Sequence, residues 1–140
     1  MFEYERRIGM RDVDAAGIVF FARYLSLVHE AYEEMFSTHG VSFRDQLETH
    51  GVILPVVHAD IDYRLPVMLE DRVKIVLAVS DIKTRSYAVG FKFMGVQGRL
   101  AAGGKVVHAC VDYTTRKAVS LPAHLVSVLE ACARPTDVQP

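Results

Sequence analysis

The chain contains no tryptophan, only two cysteines and five prolines, and it carries a net charge of −1. Each scarcity excludes something. Sixteen Lys and Arg against seventeen Asp and Glu leave no basic excess to offer a nucleic-acid backbone. Cys110 and Cys132 fit neither the spacing of a zinc site nor a disulfide framework, and they read as reduced thiols. No stretch approaches the roughly 18 apolar residues of a membrane span, and the charged start Met1-Phe2-Glu3-Tyr4-Glu5-Arg6-Arg7 lacks the apolar core of a signal peptide. The expectation is a cytoplasmic protein with neither nucleic acid nor membrane among its partners. Familiar catalytic motifs are missing too: no Gly-x-Ser-x-Gly elbow, no Gly-x-x-x-x-Gly-Lys phosphate loop and no Gly-x-Gly-x-x-Gly after a strand. His29-Glu30 opens like a zinc-protease motif, but Glu33 stands where the second histidine belongs, so no metal is expected. Any catalysis must come from a carboxylate, a histidine or backbone groups.

What the chain does have is 140 residues, 51% of them hydrophobic. That is enough for one core and too little for two, so residues 1–133 read as one domain and 134–140 as a flexible tail. So apolar a composition also hints at surface buried between subunits. Phe2, Tyr4, Ile8 and Met10 alternate with charged residues, as in a strand with one face buried, although Arg6 interrupts that face. From Phe21 the period changes. Phe21, Tyr24, Leu25, Val28, Ala31, Tyr32, Met35 and Phe36 recur at steps of three and four, which predicts an amphipathic helix ended by Gly40. Ser42 caps a short second helix that Gly51 closes. Four strands joined by short turns follow, the last running from Leu100 to Tyr113 with a bulge or close approach at Gly103-Gly104, and Pro122 opens a final helix. Short turns imply antiparallel pairing, hence an α+β domain whose sheet can curl around one long helix.

The stretch Arg11-Asp12-Val13-Asp14-Ala15-Ala16-Gly17-Ile18-Val19-Phe20-Phe21 holds two acids in a loop that feeds this helix. Aspartates are common in such places simply because they accept backbone hydrogen bonds. The same geometry also suits chemistry. A helix start presents unpaired N–H groups and partial positive charge, which can polarise a carbonyl oxygen. A carboxylate beside it could attack that carbonyl or activate a water. A carboxylate is a weak base, so the substrate must already be activated, and a thioester meets that need better than an amide.

Asp12 to Phe21, followed by Tyr24, resembles the signature of the 4-hydroxybenzoyl-CoA thioesterase family of hotdog-fold proteins. The resemblance spans nearly the whole chain. It implies a curved five-stranded antiparallel sheet wrapped around one central helix. It also implies an acyl-CoA substrate with an aromatic acyl group, no cofactor, and a homodimer or homotetramer. Carried over by motif position, Asp14 is the catalytic carboxylate, the backbone N–H of Phe21 polarises the thioester carbonyl, and Gly17 lets the loop turn. Leu27–Glu33 and Pro55–Tyr63 are similar to the branch of the family that hydrolyses 1,4-dihydroxy-2-naphthoyl-CoA. Ala15 stands where the hydroxybenzoyl enzyme has proline, which loosens the acyl assignment without touching the carboxylate. His29 and Glu33, one helical turn apart, are candidates for substrate contact or for a solvated polar pair. His58 is a candidate for the pocket or a structural histidine, and His108 reads as structural. By resemblance, Lys83 and Arg85 meet the CoA phosphates. Three other readings stay open: a hydrolase of short-chain acyl-CoA, a hydratase on the same fold, and an acyl-CoA- or partner-binding module without catalysis. No histidine precedes the helix, which counts against the hydratase.

Overall fold

The computed structural model describes residues 1–134. Its elements are β1 (Phe2–Arg7), α1 (Arg23–Thr38), α2 (Phe43–Glu48), β2 (Val52–Ile53), β3 (Val56–Tyr63), β4 (Arg72–Ser80), β5 (Ser86–Met94), β6 (Leu100–Ala109), β7 (Val111–Asp112) and α3 (Ala123–Ala131). Five strands form one antiparallel sheet in the order β1-β4-β5-β6-β3, leaving β1 and β3 as edges. Alternation explains its inner face. Val73, Ile75, Leu77 and Val79 of β4 are buried, as are Tyr87, Val89, Phe91 and Phe93 of β5. The helix lies across that face. Tyr24 meets Phe93 edge-on at 5.1 Å, Tyr32 stacks on His108 at 4.4 Å, and Arg6 of β1 reaches Glu30 at 2.9 Å. Contacts to β1, β5 and β6 from a single helix mean that the sheet wraps it, which is the hotdog fold.

Two details depart from the sequence reading and two sharpen it. Phe21 is not on the helix's buried face: it precedes α1 and is 63% exposed, while Leu27 is fully buried. The strand expected to run to Tyr113 breaks at Cys110, whose N–H donates to Arg85 O and whose C=O accepts from Val119, and its end becomes β7, paired with β2 in a small second sheet. Gly103-Gly104 is a close approach and not a bulge. A Cβ on Gly104 would lie 2.0 Å from the Asp60 carbonyl oxygen, so β3 sits where only glycine permits it. Ser42 caps α2 as the sequence reads, its hydroxyl accepting from the Asp45 N–H, and the Asp45 carboxylate accepts from the Thr49 hydroxyl at 2.6 Å. The segment expected to form a flexible tail lies outside the described residues apart from Arg134, whose N–H donates to Val79 O.

Candidate active site

The loop between β1 and α1 is a small closed structure. Val13 and Val19 form an antiparallel bridge, the Asp14 N–H donates to Ile18 O at 2.9 Å, and the Gly17 N–H donates to Asp14 O at 3.0 Å. Gly17 has φ +78°, a conformation that L side chains adopt reluctantly, so the turn needs glycine there. The Asp14 carboxylate is held by one oxygen only. Its Oδ1 accepts from the N–H groups of Ala16 (2.8 Å) and Ile18 (3.4 Å), while Oδ2 has no hydrogen-bond partner among the described residues. One oxygen fixes the orientation of the group and the other carries no bond from the described residues.

The backbone just before α1 is arranged to complement it. The Phe20 carbonyl accepts from the Arg23 N–H at 2.8 Å and therefore points along the helix. Peptide planarity then turns the N–H of the same unit, that of Phe21, backward out of the helix start. Neither this N–H nor that of Ala22 has an acceptor among the described residues, and Ala22 caps the helix without a side-chain bond. The Tyr63 hydroxyl donates to the Phe21 carbonyl at 2.7 Å and fixes the next peptide unit. Asp14, Phe21, Tyr24, Tyr63 and Arg64 line one open cavity of about 390 Å³. Tyr63 and Arg64 were not singled out from sequence, because in an alternating strand the first reads as an ordinary apolar-face residue and the second as an ordinary polar-face one. Their only signal is position, at the end of β3 facing the loop.

Asp12, the other acid of the loop, is buried and ties the loop down through charge. It accepts from Arg6 Nη1 (2.5 Å), Arg23 Nε (2.8 Å) and the Gly9 N–H (2.8 Å), and Arg6 in turn bonds Glu30 Oε2, which also accepts from the Tyr4 hydroxyl. Arg6 thus interrupts the apolar face of β1 because it is the centre of a clamp joining β1, the loop and the first residue of α1. Burial pushes the Asp12 carboxyl up, but the bonds from Arg6, Gly9 and Arg23 outweigh it and hold the group at about 2.

The other sequence candidates are scattered. His29 lines a second cavity with Tyr32 and His108. Glu33 is exposed on α1, makes no hydrogen bond to His29, and lines neither cavity. His58 is exposed on β3, its Nε2 lying 2.9 Å from Asp60 Oδ2, and it too lines neither. Lys83 and Arg85 are exposed in the β4–β5 turn, at the far end of β4 from the Asp14 loop, a separation of about 30 Å for a nine-residue strand. Within one chain, then, Asp14, Gly17 and Phe21 come together, and the other five do not join them. Among the described residues no three His, Cys, Asp or Glu side chains gather as a metal site would require, and no helix is long and apolar enough to cross a membrane.

A sequence profile of the thioesterase-like superfamily matches residues 8–129. The 1,4-dihydroxy-2-naphthoyl-CoA hydrolase of Synechococcus elongatus is 35% identical over 94% of this chain and 97% of its own length. The crystal structure of a 1,4-dihydroxy-2-naphthoyl-CoA thioesterase from Synechocystis superposes with a TM-score of 0.88 at 28% identity, covering 96% of this chain and 98% of that one. A gentisyl-coenzyme A thioesterase superposes with a TM-score of 0.78 at 25% identity, covering 89% of this chain and 98% of its own. With the profile spanning most of the chain, and with the loop, helix and sheet in the arrangement the motif implied, this chain belongs to the thioesterase-like superfamily.

Proposed function

We propose that the chain hydrolyses an aromatic acyl-CoA thioester, of the 1,4-dihydroxy-2-naphthoyl or hydroxybenzoyl type, to the free acid and CoA, and that it does so in the cytoplasm. The observation that carries this reading is the half-held carboxylate of Asp14, with a free oxygen in the same cavity as the backward-facing N–H of Phe21. The thioester carbonyl oxygen accepts from that N–H, and the partial positive charge of the helix start stabilises the negative charge that develops on it. The free Asp14 oxygen attacks the carbonyl carbon or draws the proton from a water that does. In either case the C–S bond breaks, CoA leaves as thiol, and water supplies the oxygen and hydrogens of the products. The aromatic acyl group follows from the relatives' substrates. Arg64, the one cation among the described residues that line the cavity, suits the phosphates of CoA.

Lys83 and Arg85 are too remote to serve the Asp14 of their own chain, so any CoA contact from them belongs to an assembly. The edge strands suggest which one. β1 turns Glu3, Glu5 and Arg7 outward, a charged edge that resists pairing. In β3 seven of eight residues are exposed, among them Val56, Val57 and Tyr63, so this is the edge we assign to a dimer, β3 against β3. Sedimentation equilibrium at micromolar concentration is expected to return twice the chain mass or four times it. A monomer would remove the dimer from the proposal.

The function is tested by release of free thiol from a panel of naphthoyl-, hydroxybenzoyl- and straight-chain acyl-CoA substrates. The expected ranking of kcat/KM puts the hydroxylated aromatic thioesters first. Release from none of them would leave a binding module as the better reading, and a preference for long alkyl chains would overturn the aromatic assignment.

A further inference from the structure

The second cavity lies between α1 and the β3 end of the sheet, also with a volume of about 390 Å³, within the size range of small-molecule pockets. Its walls are mostly apolar, with Val28, Val56, Val89 and Val106 among them, and one polar side chain at its floor stands out. His108 is 2% exposed, and Tyr32 is stacked on its ring at 4.4 Å with 5° between the planes. Its Nδ1 lies 2.9 Å from the Leu54 carbonyl oxygen. A carbonyl can only accept, so Nδ1 carries the hydrogen. Burial lowers the proton affinity of the ring, with His29 adding to the effect, and the ring is therefore neutral near pH 7. In that tautomer Nε2 is a bare acceptor. Nε2 has no partner among the described residues, yet no fully enclosed side-chain nitrogen or oxygen among them lacks one. Nε2 is thus the part of His108 that opens into the cavity.

An acceptor at the floor of an apolar, aromatic-walled cavity selects a flat ligand that carries a hydrogen-bond donor at its far end. We infer that this cavity receives the ring of a hydroxylated aromatic acyl group, and that His108 Nε2 accepts a hydrogen bond from a ring hydroxyl remote from the carbonyl. The inference rests on the thioesterase reading above and deepens it by naming the residue that reads the acyl group. The two cavities lie at opposite ends of β3, near Val56 and near Tyr63. In an antiparallel β3–β3 dimer, each protomer's second cavity would adjoin the partner subunit's copy of the Asp14 loop.

The test uses ligands that differ only in that hydroxyl and need no turnover: the free acids 1,4-dihydroxy-2-naphthoate and 1-hydroxy-2-naphthoate, kept anaerobic. Wild-type protein is expected to bind the first about tenfold more tightly, the effect of one hydrogen bond to an otherwise unpaired acceptor. In His108→Asn, whose amide can still donate to Leu54 but has nothing in place of Nε2, the ratio is expected to fall to about one. Should that variant fail to fold, nitrogen NMR of the wild-type imidazole serves instead, with Nε2 shifting on binding the dihydroxy acid and not the monohydroxy acid. Equal affinity for the two acids, binding of neither, or a preference that survives in His108→Asn overturns the inference. Thiol release from the matching CoA thioesters separates the two readings: binding preference without hydrolysis fails the thioesterase and keeps the cavity, and hydrolysis without preference does the reverse.

Discussion

Asp14→Asn is expected to lower kcat on the preferred thioester by at least about a hundredfold, with the fold and the affinity for CoA retained. The substitution is chosen for what it leaves alone. An asparagine carbonyl oxygen can still accept from the Ala16 and Ile18 N–H groups, so the loop keeps its internal bonds. What disappears is the ionised second oxygen, the only group in the proposed mechanism that can attack or take a proton. A steady-state assay of the purified variant decides the matter when paired with a thermal melt showing that it is folded. Turnover within a few-fold of wild type would remove Asp14 from the reaction.

The second large effect concerns stability, at the neighbouring acid. Asp12→Asn is expected to destabilise the protein by about 3–5 kcal/mol, because it leaves the Arg6 and Arg23 guanidiniums facing a neutral amide in a buried site. Against a total of about 5–15 kcal/mol for a domain of this kind, that is a large fraction. The pH dependence gives an independent check. The Asp12 carboxyl titrates at about 2 in the fold, below its ordinary 3.8, so the folded state favours the ionised form. The stabilisation is therefore fully present above pH 3.8 and is lost as pH falls through 2. A gap of that size corresponds to about 2 kcal/mol at neutral pH. Urea unfolding of wild type between pH 5 and pH 2 should show this loss, and the Asp12→Asn curve should be flatter. A change under 1 kcal/mol at pH 7 would mean that Asp12 is not what ties the loop down.

The periodic parts of the fold were legible because burial imposes its period on the sequence. Val73, Ile75, Leu77 and Val79 alternate because one face of β4 is dry, and Tyr24, Val28, Tyr32 and Met35 recur because one face of α1 is. Where a residue's role depends on a partner distant in sequence, the period is silent. Arg6 looked like a flaw in a strand face, and only the fold brings it to Asp12 and Glu30. Phe21 was read into the helix from its spacing, whereas the backbone starts the helix two residues later and leaves its N–H free. Tyr63, which pins the Phe21 carbonyl across 42 positions of sequence, could not be inferred from local pattern. His108 read as structural, and it is, at Nδ1. What the sequence could not reveal is that the other nitrogen opens into a cavity.

The clamp at Asp12 has a consequence for the order of assembly. Its strongest bonds join Arg6, Gly9, Asp12 and Arg23, so they close loops of 3 to 11 residues. The pairing of β3 with β6, in contrast, joins Val56 to His108 and Tyr63 to Ala102. Short loops close at low entropic cost and long ones do not. The Asp12 end of the loop is therefore gathered by near neighbours, while its Gly17–Val19 stretch waits for Val67–Leu69 and the β3 edge waits for β6. A nascent chain would thus have Asp12 and its partners in reach of one another before it has a β3 edge to offer a second copy.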